Sequence, residues 1–235
     1  AALATACTSE PEPVYQDTPP TETTVQEYDA ALEPSAAVLP LVPADATRLT
    51  VVDFDQLRLV LGFGELDGDS PSAERARFWR RAADSAVIEQ SLLRAVDDRL
   101  QRDFGIGRDD VAWQAHWSGV DSTEDGWVLA FHPKASMAAV QRAVRAGVGP
   151  LRGAVVDADR RLVSSAALPD ADQSWGADPG LVAITGREAV STYVERGCLP
   201  FDTVFGEGMQ EQLAAAPAAA LDALEPLEAF SVALG

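Results

Sequence analysis

At 235 residues, 47% of them apolar, the chain is long enough to bury a core of its own. A formal charge of −19 and a pI near 4.3 exclude a nucleic-acid surface, which needs clustered Lys and Arg to neutralise phosphate, and exclude adsorption of the folded body to anionic lipid. The acidic groups are spread along the chain, as on an ordinary solubilising surface, and no run approaches the roughly 18 apolar residues of a membrane-spanning helix.

The N-terminus reads AALATAC and then changes to TSEPEPVYQDTPPTETTVQEYD. Residues 8–27 are rich in Thr, Pro and Glu and poor in large apolar groups. They cannot offset the entropy of ordering, so residues 7–27 are expected to form a flexible tether. Small residues stand directly before Cys7, with Leu3 four positions upstream. On the stretch Ala4, Thr5, Ala6, Cys7 the chain resembles the lipobox of bacterial lipoproteins, and its composition is similar in style to those of high-GC actinobacteria. The resemblance implies that residues 1–6 are the end of a signal peptide, cut before Cys7, and that the Cys7 thiol carries diacylglycerol and palmitate-type chains. Each buried methylene contributes about 0.8 kcal/mol, so several chains hold a protein where one would not. One departure is that the lipobox usually has Leu three residues before the Cys, where this chain has Ala4. The resemblance implies an address, the extracytoplasmic face of the cell membrane, and no activity. The alternative is a disulfide between Cys7 and Cys198, which requires an ordered N-terminus. The following LPLVPADATRLTVVDFDQLRLVLG is similar to the start of envelope proteins of the same group, where VPAD precedes a first strand.

Residues 28–235 are expected to form a single α+β domain. Residues 28–39 suit a helix broken at Pro34 and ended by Pro40 and Pro43. RLTVVDF, residues 48–54, is a β-branched first strand, after which Asp55 caps a short helix closed by Gly62. In the loop GFGELDGDSPS, Asp67, Asp69 and Glu74 have the residue types of a calcium loop without its spacing, and turn formation accounts for them better. Residues 72–104 are helical with a bend near Asp84 and Ser85. Phe78, Trp79, Ala82 and Ala83 share one face, and Leu92, Leu93, Val96, Leu100 and Phe104 continue an apolar stripe. Val111, Trp113, Ala115 and Trp117 alternate with Gln114, His116 and Ser118, the pattern of a strand with one wet face. Residues 127–132 are apolar on both faces, which places that strand inside the sheet. Residues 136–146 form a helix capped by Ser136, burying Met137, Val140 and Val144 and stopping at Gly147. Residues 154–156 and 162–164 pair as a tight hairpin. The order gives a ferredoxin-like βαββαβ antiparallel sheet with helices packed on one face.

Beyond residue 165 the pattern predicts a loop, a strand at LVAIT, a short helix at GREAVSTYVERG, and a C-terminal Ala- and Leu-rich helical segment over residues 209–227 interrupted by Pro217. EAFSVALG reads as a strand beginning, which gives the expectation that the natural chain continues past Gly235.

The two histidines, His132 at a strand end and His116 on the wet face of its neighbour, are able to approach across the sheet, and with Asp121, Glu124 and Asp125 in the connecting hairpin the set permits a metal or acid–base site on paper. The plainer reading is two imidazoles with no fixed carboxylate spacing. No GxSxG, HExxH, Walker or GxGxxG arrangement occurs. Cys198, at a helix end, reads as a buried inert thiol in preference to a reactive one. These residues point to no catalytic residue, cofactor or metal ligand, and Cys7 is the one expected site residue, as the point of lipid attachment. The expected function is that of a lipid-anchored extracytoplasmic binding or assembly module, not an enzyme, with a protein or envelope component as partner and no nucleic acid. Two alternatives stand beside it: an envelope hydrolase with a site near His116 or His132, and an accessory subunit of a membrane protein complex.

Overall fold

A computed structural model describes residues 25–85, 89–119, 125–197 and 229–235. Cys7, Cys198 and the predicted helical segment over residues 209–227 lie outside the described residues. Within them the architecture is mixed α+β, with a seven-stranded antiparallel sheet and six α-helices. The strands are β1 (Ala46–Asp53), β2 (Val111–Gly119), β3 (Gly126–Phe131), β4 (Val155–Asp157), β5 (Leu162–Ser164), β6 (Ser191–Arg196) and β7 (Ala229–Leu234), in the spatial order β4-β5-β3-β2-β1-β6-β7. The helices are α1 (Pro34–Ala37), α2 (Phe54–Val60), α3 (Ser72–Ala83), α4 (Asp97–Phe104), α5 (Met137–Arg145) and α6 (Pro179–Ile184).

The sheet is not ferredoxin-like. A four-stranded βαββαβ sheet returns its last strand to the edge of its first, but here β1 gives one edge to β2 and the other to β6. No edge of β1 remains for the β4–β5 hairpin, which extends the sheet beyond β3 instead. Nor are the helices confined to one face. Val52, Val111, Leu129 and Val163 face a layer built from α2, α3, α4 and α5. Leu49, Val51, Trp113, Ala115, Trp117 and Val128 face the opposite way, against residues 38–42, Trp175 and Leu181. Burying each such side chain contributes about 1.5–3 kcal/mol, so both faces are structural.

The phase of β2 is set by a bulge between Val111 and Trp113 in its pairing with β3. The extra residue, Ala112, puts Val111 on the helical face while Trp113 and Trp117 point to the other, both buried as expected. Trp117 lies across Gly126, where a Cβ would come within 2.3 Å of the indole. Glycine is therefore required there by close approach, in addition to ending the β2–β3 connection.

Several local expectations are corrected. The cap of α2 is Asp53, whose Oδ1 accepts from the N–H groups of Asp55 and Gln56, and not Asp55. LVAIT is helical up to Ile184: Asp178 caps it and Pro179 fills its first turn, so α6 takes the short apolar run expected to be a strand. GREAVSTYVERG contains β6 instead of a helix, because the β-branched run from Val190 to Val194 pairs with β1 on one side and β7 on the other. Residues 28–39 contain only the short α1, followed by a 3₁₀ turn over Leu39–Leu41. α3 ends at Ala83, where the bend was expected, but helix does not continue to Phe104: the described residues 89–96 are turns and a 3₁₀ turn over Arg94–Val96, and α-helix resumes only at α4, while α5 carries its Ser136 cap. The β4–β5 hairpin and the interior place of β3 also stand as read.

Candidate functional site

Among the described residues the helical layer covers only half of its face of the sheet. Over the covered half, Val52, Gln114, Leu129 and Val163 lie side by side across β1, β2, β3 and β5. Gln114 was expected on a wet face, yet it is fully buried. Its side-chain Oε1 accepts from the Leu92 N–H at 2.9 Å and its Nε2 donates to the Gln90 carbonyl at 2.9 Å. One amide thereby replaces the two hydrogen bonds that a neighbouring strand would supply, and it fixes the segment before α4 onto the sheet.

Two residues further along β2 the cover ends. Tyr193, Thr50, His116 and Trp127 form a cross-sheet row on β6, β1, β2 and β3, and Glu195, Arg48 and Ser118 form the next. With strands spaced roughly 4.8 Å apart, the row from Tyr193 to Trp127 spans about 14 Å. All of these residues except Glu195, which lies behind Arg48 and Tyr193, line an open cleft of about 390 Å³, with Glu89 and Asp125 also in its lining.

The polar groups in the cleft are held by one another. Tyr193 Oη donates to Glu195 Oε2 in a short hydrogen bond. Glu195 also lies 3.6 Å from Arg48. Burial pushes the Tyr193 phenol up to about 12, and the bond to Glu195 and its negative charge act in the same direction, while Arg48 opposes them. Tyr193 therefore stays a neutral donor throughout the physiological range. His116 Nδ1 sits 3.7 Å from Glu89 Oε2, and its Nε2 is buried with no partner among the described residues. Burial lowers the basicity of the imidazole and Glu89 only partly restores it, so His116 is neutral at pH 7 and offers one donor and one acceptor.

The two histidines do not meet. His116 is paired with Trp127, whereas His132 follows the other end of β3 and donates its N–H to the Asp110 carbonyl. Five residues of strand separate their levels, about 16 Å at 3.3 Å per residue. His132 does have a carboxylate in reach, with Nε2 2.9 Å from Asp55 Oδ1. The same nitrogen lies 3.0 Å from Arg58 Nη1, which itself pairs with Asp55 at 2.6 Å. Arg58 is buried and donates to the carbonyls of Asp109 and Val111, so His132 joins a network that ties α2 to the start of β2. Among the described residues neither imidazole is hydrogen-bonded to a Ser, Thr or Cys that could act as nucleophile.

Of the remaining candidates, Asp67 closes a turn with Ser70 and Asp69 and pairs with Lys134, and Glu74 pairs with Arg77. Among the described residues no three His, Cys, Asp or Glu side chains are grouped to hold a metal ion, and no helix is long and apolar enough to cross a membrane. Asp121 and Glu124 lie outside the described residues, and Asp125 borders the cleft. Sequence reasoning missed Arg48, Thr50, Tyr193 and Glu195. Tyr193 and Glu195 alternate with Thr192 and Val194, the period-2 signal of a strand, but were read within a helix. No protein-family model, curated protein or solved structure matches the chain.

Proposed function

We propose that the protein is a lipid-anchored extracytoplasmic module of the cell envelope that binds without catalysis, and that it holds a neutral glycan of the envelope on the uncovered half of its sheet. The row Tyr193, Thr50, His116, Trp127 carries this reading. Sugar rings present hydroxyls around their edges and C–H groups on their faces. Neutral donors and acceptors between two aromatic side chains match that pattern, because an aromatic ring supplies large contact area at little entropic cost and the fixed polar groups set orientation.

Charge narrows the class further. Glu89, Asp125 and Glu195 outnumber Arg48 around the cleft, and the whole chain carries −19, so an anionic polymer is repelled. The anchor rests on Cys7 and the Thr/Pro/Glu tether that follows it, which would hold the domain within reach of the wall.

Two measurements test the two parts separately. The intact mass of the native membrane-extracted protein should show acylated Cys7; an unmodified thiol removes the anchor. Calorimetric titration with soluble neutral wall oligosaccharides should show binding that Trp127→Ala weakens about tenfold, the loss expected of a central aromatic contact. Equal binding by wild type and variant, or none by either, removes the glycan.

A further inference from the structure

A second cleft, of about 350 Å³, opens on the other side of Glu89, between α3 and residues 89–94. Its apolar lining includes Phe54, Leu57 and Trp79, and its charged lining is Arg80, Arg94 and Arg108 against one carboxylate, Glu89. Three guanidiniums around one apolar hollow run against the composition of a chain with 37 acidic and 18 basic residues.

The basic groups are only partly neutralised by their surroundings. Arg108 lies over the Trp79 ring at 4.1 Å, and the Trp79 Nε1–H donates to Asp109 at 2.6 Å, which fixes the indole beneath it. Asp97 Oδ2 comes within 3.2 Å of Arg108 Nε but off the N–H direction, so that buried N–H makes no hydrogen bond. Burial lowers the Arg108 pKa, Asp97 and Asp109 raise it, and the nearby Arg94 lowers it further. Arg94 and Arg80 are exposed, and neither has an acidic partner within 4 Å among the described residues. Ser91 lines the same hollow, is itself only 6% exposed, and its hydroxyl has no partner among the described residues. A buried hydroxyl left so costs roughly 1–3 kcal/mol, which an acceptor atom in the cleft would recover.

We infer that this cleft binds a small amphiphilic carboxylate, its apolar body on Phe54, Leu57 and Trp79 and its charged head among Arg80, Arg94 and Arg108. The Ser91 hydroxyl donates to one carboxylate oxygen and the guanidiniums to the other. The volume is at the lower end of the roughly 300–1,000 Å³ of small-molecule sites, which suits one short chain or ring and not a whole diacyl lipid. The site adjoins the glycan cleft and shares Glu89 with it, but its other lining residues are different, so the two readings are tested by different ligands.

Calorimetric titration of the full chain with decanoate, below its micelle-forming concentration, tests the assignment against decanol, which keeps the tail without the charge, and acetate, which keeps the charge without the tail. Decanoate should bind at least about tenfold more tightly than either, the ratio expected of charge-assisted hydrogen bonds. Arg94→Gln should lower decanoate affinity about tenfold and leave decanol unchanged. Arg80→Gln, also at an exposed position, provides a second variant should the first misfold. Decanol binding as tightly as decanoate, no decanoate binding, or indifference to both substitutions overturns the inference.

Discussion

Gln114 and His116 are neighbours on one face of one strand, and their surroundings are opposite. Gln114 is fully buried with both ends of its amide bonded to the backbone of residues 90 and 92. His116 keeps a buried, unpartnered Nε2 and a distant carboxylate beside an open cleft. The boundary between structure and site thus falls within two residues of β2, at the point where the helical layer stops. Gln114 on the covered side is satisfied by the chain itself, whereas His116 on the open side keeps a ring nitrogen with no partner among the described residues.

Substitutions on the two sides should therefore differ greatly in cost. The largest effect is expected from Gln114→Ala, which leaves the Gln90 carbonyl and the Leu92 N–H without partners and opens a cavity. A loss of about 3 kcal/mol in urea unfolding is the expected outcome. A change below about 1 kcal/mol would mean that water replaces the amide and that the cover is loose.

A smaller, pH-dependent effect is expected at Asp53, where β1 passes under the covered half into α2. Burial raises its pKa from 3.8 to about 6, against the two backbone N–H groups that it caps. The folded state therefore binds the proton more tightly than the unfolded chain. This contribution to stability is complete below 3.8 and is lost as pH rises through about 6. Asn caps a helix as well as Asp and does not titrate, so Asp53→Asn should flatten the fall in unfolding free energy, measured by urea titration, across that window by on the order of 2 kcal/mol. An unchanged slope would place the titration elsewhere.

The smallest effect is expected at the opposite end of the same strand. Arg48 is largely exposed and 3.6 Å from Glu195, and such pairs are worth little, so Arg48→Ala should cost less than about 1 kcal/mol. A loss comparable to that of Gln114→Ala would show that the open rows are structural.

The sequence made some of this division legible and hid the rest for identifiable reasons. Strands β2 and β3, helix α5 and the β4–β5 hairpin follow from alternation, a Ser cap and turn residues, all local signals. The burial of Gln114 had no such signal, because its partners lie 22 and 24 residues away in a segment that carries no motif. Alternation alone placed it with His116 and Ser118 on a wet face. The face was right and the wetness was not, since that depends on what packs above. Helix α6 was legible after all, in the Asp178–Pro179 pair that opens it, but the short apolar LVAIT outweighed this signal in the reading. The position of β6 beside β1 is a long-range pairing, and missing it cost both the topology and half of the open site.

Arg58 has a consequence that reaches beyond the network in which it sits. Its guanidinium grips the carbonyls of Asp109 and Val111, immediately before the extra residue Ala112. Side chains on a strand invert with every one-residue slip, so the handedness of everything from Trp113 to Ser118 depends on that single inserted step. A cation in the interior thereby keeps the imidazole outward-facing on one surface and the two indoles sealed on the other. Were the step lost, the protein would present oil where it now presents hydrogen bonds.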